Sequence, residues 1–158
     1  NLLSFSEVQF ILAEAALKGW IPSGGAQAFY ENAIKANFKF YNTYAKGYEA
    51  YYTQAAAAKY ISGPRVNFTN ATSEVEKLEL IITQKYVTSF LQGGWKMYFD
   101  HLRTGYPAFP YLGSDTPPTR WIYPLDEYND NSENVKEAIS RQFGGSNDGI
   151  REFTWWLK

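Results

Sequence analysis

Over residues 4–44 the apolar positions recur at helical spacing. Phe5, Val8, Leu12 and Ala15 trace one stripe, and Ile11 widens it. Ser4 and Glu7 stand in front of the stripe at the spacing of a capping box, and Gly19 supplies a stop. After a short connector, residues 21–25, a second stripe runs through Ala26, Phe29, Tyr30, Ala33, Ile34 and Phe38 towards Tyr44. Small residues such as Ala13, Ala16 and Ala33 let two such helices approach closely. The pattern predicts an antiparallel helical hairpin of the kind that repeat proteins stack. One hairpin cannot bury its stripe alone, so further helices are expected against it.

Those helices are visible downstream. Residues 48–62 predict a third, shorter helix on propensity, followed by a loop over residues 62–73. Ser73 and Glu76 repeat the capping-box spacing. Val75, Leu78, Ile81, Ile82 and Lys85 then trace the longest helix, expected to reach about Gln92. Gly93 and Gly94 interrupt it. Residues 95–103 restart a helix in which Trp95, Tyr98, Phe99 and Leu102 have core spacing, with Met97 and His101 on another flank. Gly105 and Pro107 end that helix. Four prolines over residues 106–119 predict a loop. Residues 120–124 read as extended and residues 125–131 as a turn. Asn131 or Ser132 can cap a last helix through Val135, Ala138 and Ile139. At the end of the chain Trp155 and Trp156 must point to different sides, so one is expected buried and the other on a neighbour. The sum is an all-α fold with long irregular loops, expected to be a single domain over residues 1–158.

Composition narrows the function. The 158 residues carry a net charge of -1, so no basic footprint for nucleic acid is present. Without cysteine there is no disulfide, thiol nucleophile or thiolate metal site. No apolar run reaches the roughly 18 residues that cross a bilayer. The chain opens almost directly on a helix and is expected to belong to a longer protein. Its one histidine, His101, has Asp100 adjacent in sequence, which a helix points elsewhere. No nucleophile turn or phosphate-cradling glycine motif accompanies it, so catalysis, metals and cofactors are not expected. Asp126, Glu127 and their neighbours lack the register of a calcium loop, and the acids of this half cannot be paired by spacing.

The outlier is aromatic content, at 18%. Tyr106, Phe109 and Tyr111 sit on the proline-stiffened loop with no helical stripe to join. Rings held this way either collapse onto the body or stack on a ligand. With Asp115 and Arg120 as polar helpers, and Trp20 in the hairpin connector, they are the candidate ligand-binding residues.

The segments FSEVQFILAEAALKGW, AFYENAIKANFKFY, LELIITQKYVTSFLQGGWKMYFDHLRTGYP, TRWIYPLDEYNDN and WWLK occur in this order. Together they resemble the C-terminal part of the SusD/RagB family. The resemblance implies a tetratricopeptide-like helical fold and a fragment of a larger SusD-like protein. It implies an outer-membrane lipoprotein of Bacteroidetes, held at the cell surface by a lipid anchor outside this chain. It implies a non-enzymatic role: binding a glycan, oligosaccharide or other nutrient above a TonB-dependent transporter barrel. No binding residue of the family maps onto a position here. A helical-repeat interaction module with no small ligand is the alternative. A carbohydrate-active enzyme with paired acids is a third.

Overall fold

The computed structural model describes residues 3–22, 25–90, 92–110, 117–145 and 147–157. They form two compact units, Asn1–Asp100 and His101–Lys158. Among the described residues, seven α-helices and three short 3-10 turns make up the regular structure, and no strand occurs. The all-α expectation holds.

The first unit is built on a hairpin of α1 (Phe5–Leu17) and α2 (Ala26–Tyr44). The Ser4 hydroxyl accepts from Glu7 N at 3.0 Å, as the capping spacing predicts. The Glu7 carboxylate does not complete the box; it meets Lys96 Nζ at 3.1 Å. Phe10 and Ala13 pack against Tyr30, Ala33 and Ile34, all with essentially no exposure. Tyr30 donates its hydroxyl to Val66 O at 2.7 Å, and its ring lies against Phe10 and Phe68 at 6.1 and 5.1 Å. The stripe of α2 is therefore as expected, but that of α1 is rotated. Ser6, Gln9, Phe10, Ala13 and Glu14 are buried, while Phe5 is 68% exposed and Ile11 is also exposed. Close approach explains the rotation: Ser6 is small and donates to Ala33 O at 2.8 Å, tying the two helices together.

The segment expected as a plain loop, residues 62–73, supplies core. It folds through a 3-10 turn, Phe68–Asn70, and buries Val66 and Phe68. Asn67 accepts from Thr69 N and Oγ1 at 3.0 and 2.7 Å, a local cap for the turn. The third predicted helix is present but later, because a 3-10 turn (Glu49–Tyr52) precedes α3 (Gln54–Ile61), which Thr53 caps.

Helix α4 (Glu74–Ser89) carries a complete capping box between Ser73 and Glu76. The backbone N–H groups of Ser73 and Thr72 hold the Glu76 carboxyl down to about 2. Its contribution is thus present above the ordinary glutamate range and lost only as pH falls through that value. The helix ends at Ser89, short of Gln92, and Gly94 turns the chain with φ 53°. In α5 (Lys96–Thr104) the buried residues are Met97 and Asp100, whereas Trp95 and Phe99 are exposed. The expected core stripe of this helix is therefore wrong. An ion pair decides it: Lys85 Nζ meets Asp100 Oδ2 at 2.7 Å, with side-chain exposures of only 9% and 12%. Asp100 must point inward, and Met97, three residues earlier, follows it.

The second unit holds α6 (Leu125–Asp130) and α7 (Ser132–Phe143). The first was expected as a turn. Pro124 precedes it, and Asp126 and Glu127 favour a first helical turn by their charge. Val135 and Ile139 are buried as predicted, and Gly144 closes α7 with φ 74°. Trp155 and Trp156 fall on a 3-10 turn, Trp155–Leu157, and both are exposed, so the expectation of one buried ring is not met. No helix among the described residues is long and apolar enough to cross a membrane.

Replacing Lys85 with Met removes the buried cation that meets Asp100 and should cost about 3–5 kcal/mol. The double change Lys85→Met with Asp100→Leu should recover most of that. Thermal unfolding of the parent, single and double variants checks this; an unchanged melting temperature in the single variant contradicts it. Tyr30→Phe should cost about 1–3 kcal/mol, because the buried Val66 carbonyl loses its donor.

Candidate functional site

A cleft in the second unit forms where two loops are pinned. The first follows α5. Gly105, at φ 77°, donates its N–H to His101 O at 2.7 Å and turns the chain out of the helix. Tyr106 N donates to Thr104 Oγ1 at 3.1 Å, and the Tyr106–Pro107 peptide is cis. His101 Nδ1 lies 3.0 Å from Pro107 O. A carbonyl only accepts, so Nδ1 carries the proton in this contact. The His101 ring in turn packs on Phe109, with centroids 5.1 Å apart.

The opposite wall joins residues far apart in sequence. Ile150 O accepts from Thr119 N at 2.8 Å and from Arg120 N at 3.3 Å, and Thr119 Oγ1 donates to Glu152 O at 2.9 Å. This pairing brings Arg151 and Phe153 to the loop. The resulting cavity of about 470 Å³ is lined by His101, Leu102, Phe109, Thr119, Arg151 and Phe153, among others.

A polar knot holds that wall in place. The Arg120 guanidinium meets the Asp148 carboxylate and donates to Gly149 O at 3.1 Å. It lies over the rings of Phe143 and Tyr123, at 4.6 and 5.4 Å. The other Asp148 oxygen accepts from Tyr123 N and Tyr128 OH, both at 2.7 Å. Burial by itself pushes the Asp148 carboxyl up. The donors from Tyr128, Arg120 and Tyr123 outweigh it and hold the group below the usual aspartate value.

The sequence-derived candidates separate in space. Phe109 lines the cleft and is 38% exposed. Tyr106 is half-buried in the local turn. Tyr111 and Asp115 lie outside the described residues. Arg120 is committed to Asp148. Trp20 is exposed in the other unit, just after α1. Arg151 and Phe153 were missed, since nothing local marks them.

A second concavity in the first unit was also missed. It measures about 640 Å³ and exposes Phe5, Phe40 and Tyr44 beside the amides of Asn32, Asn37 and Gln54. Its legible signal was Phe40 and Tyr44, one turn apart on the otherwise polar side of α2. Rings beside amides suit a hydroxyl-rich ligand. Both concavities offer stacking surfaces and hydrogen-bonding groups, which is the equipment of a non-covalent binding protein.

The comparisons agree with that class. Residues 1–124 match the SusD-like family described as "Starch-binding associating with outer membrane". The chain belongs to this SusD-like family. It is 48% identical to a SusD homologue of Bacteroides fragilis NCTC 9343, with a TM-score of 0.94 over 99% of this chain and 35% of that one. It is 46% identical to an outer-membrane protein of Bacteroides vulgatus ATCC 8482 with a proposed role in nutrient binding, with a TM-score of 0.91 over 99% and 34% of the two chains. A chitin-binding protein matches at 34% identity and a TM-score of 0.76, over 98% and 33%. The chain thus spans about a third of the length of these solved structures. No curated protein sequence matches it.

The Asp148 carboxyl is depressed in the folded state, so its stabilisation is complete above the ordinary aspartate value of about 3.9 and is lost as pH falls through the lower folded one. Asp148→Asn leaves Arg120 buried without a counter-charge and should cost about 3–5 kcal/mol at neutral pH. It should also flatten the loss of melting temperature below about pH 4. Identical pH profiles for parent and variant would refute this role.

Proposed function

We propose that this chain is the helical, single-domain C-terminal portion of a surface-exposed outer-membrane protein that captures a glycan or other nutrient. Capture is non-covalent and needs no cofactor or metal. Rings stack on the C–H faces of sugars, and neighbouring polar groups bond the hydroxyls. The captured ligand passes to a TonB-dependent transporter barrel, and a lipid anchor outside this chain keeps the protein at the membrane.

The observation that carries this reading is the cleft around Phe109. Two exposed rings, Phe109 at 38% and Phe153 at 56%, border a cavity also lined by His101, Thr119 and Arg151. The family description and the chitin-binding neighbour support a saccharide as the ligand. Tyr111 and Asp115, which lie outside the described residues, remain candidates from the sequence in addition to Phe109. A second reading, an interaction module with no ligand of its own, draws support from the outward-facing Trp95, Phe99 and Trp155.

Phe109→Ala and Phe153→Ala, made in the intact protein, should each weaken binding of malto- or chito-oligosaccharides by a few-fold to about tenfold, the range of one ring contact. Melting temperatures should hardly change, since both rings are exposed. Calorimetric titration checks this, and unchanged affinity in both variants removes the cleft as the binding site. Absence of glycan binding together with co-purification of a barrel would favour the second reading.

A further inference from the structure

A third cavity, in the unit Asn1–Asp100, has a different chemistry. It measures about 530 Å³ and lies between α3 and the turn that follows it. Phe38, Tyr60 and Val66 form its apolar wall, and Tyr51, Lys59 and Arg65 stand around it. We propose that this is a second saccharide site, selective for a sugar that bears a carboxylate. It shares no lining residue with the Phe109 cleft and differs from it in ligand charge.

The site is preformed. Phe38 and Tyr60 hold each other with ring centroids 5.6 Å apart, and Tyr60 donates its hydroxyl to Gln84 Oε1 at 2.8 Å. The turn that carries Arg65 is fixed by its backbone. Gly63 N donates to Tyr60 O at 3.0 Å, and Gly63 O accepts from Val66 N and Asn67 N at 3.0 and 2.8 Å. A Cβ at Gly63 would stand 3.0 Å from Tyr60 O, so the tightness of this turn depends on glycine. Asn70 Nδ2 donates to Pro64 O at 3.1 Å and closes the turn from the other side. The aromatic wall and the turn backbone are therefore ordered before a ligand arrives, which favours affinity.

Charge decides the ligand class. Lys59 and Arg65 are both exposed, and no carboxylate stands among the residues around the cavity. Three other cations of this unit are paired, Lys18 with Glu74, Lys35 with Glu31 and Lys96 with Glu7. Lys39 and Lys46 are exposed and enter no ion pair among the described residues. What sets Lys59 and Arg65 apart is that both stand beside one cavity. Among the described residues, none of the ion pairs involves Lys59 or Arg65. Two cations without a counter-ion beside one cavity attract an anion, and the planar guanidinium matches a carboxylate with two parallel bonds. The aromatic wall favours an anion attached to an apolar face over one that is small and purely polar. Tyr51, 71% exposed, presents a ring against which the C–H face of a sugar can lie. A uronate unit combines that face with a carboxylate at its edge.

The test titrates the intact protein with galacturonate and glucuronate oligosaccharides, with neutral galactose and glucose oligosaccharides of equal length, and with sulfated oligosaccharides. Binding of at least one uronate series is expected, at least tenfold tighter than its neutral counterpart and than the sulfated sugars. The pair Lys59→Ala with Arg65→Ala should remove at least tenfold of that affinity, Tyr51→Ala a few-fold, and Arg65→Lys an intermediate amount because it keeps charge but not the fork. All these positions are exposed, so melting temperatures should match the parent. Phe109→Ala should leave uronate binding intact, which separates this site from the cleft. Equal affinity for neutral or sulfated sugars, no uronate binding, or uronate binding indifferent to Lys59 and Arg65 would overturn the proposal.

Discussion

The first unit depends on the burial of one phenol. Tyr30 sits on α2 with no exposure, its ring between Phe10 of α1 and Phe68 of the later turn, its hydroxyl on Val66 O. It is the side chain that makes three chain segments into one core. Burial pushes the phenol's pKa up, so it remains a donor throughout the physiological range. Because Val66 is held there, the turn that begins at Gly63 is drawn onto the hairpin, and Arg65 is carried with it to the edge of a cavity. A residue without chemistry of its own thus positions residues that have some.

Polar groups, more than rings, decided which helix faces turn inward. Ser6 reaches Ala33 O, Lys85 reaches Asp100, and Arg120 reaches Asp148. Each such partnership fixes the rotation of its segment, since a buried polar group without a partner is costly. The rings on the opposite faces, Phe5, Trp95 and Phe99, are then left outside. An aromatic-rich sequence therefore gives an aromatic-rich surface.

Legibility followed the range of the interaction. The Ser73–Glu76 box was readable because both halves lie within one turn. The identical spacing at Ser4 and Glu7 gave only half a box, since Lys96 competes for the Glu7 carboxylate from far along the chain. Phe109 was readable as a surface ring because prolines around it exclude a helix. Arg151 and Phe153 were not, because they reach the cleft only through the pairing of Thr119 with Ile150. Arg120 was expected as a polar helper for a ligand; the sequence did not show that Asp148 and the rings of Phe143 and Tyr123 occupy its guanidinium.

The sequence by itself determined every helix but α6, several of their ends, the pairing of α1 with α2 and membership of the SusD-like family. The helices follow from period, caps and glycine stops, all read within a few residues, and the family from the order of resembling segments along the chain. Tertiary structure alone decided the rotation of α1 and α5, the conversion of residues 62–73 from loop to core, and the composition of each cavity. Those outcomes rest on contacts such as Tyr30 with Val66, Lys85 with Asp100 and Arg120 with Asp148, whose partners lie 15 to 36 residues apart. A local pattern shows that a face is apolar enough to bury; only a distant partner selects between two such faces.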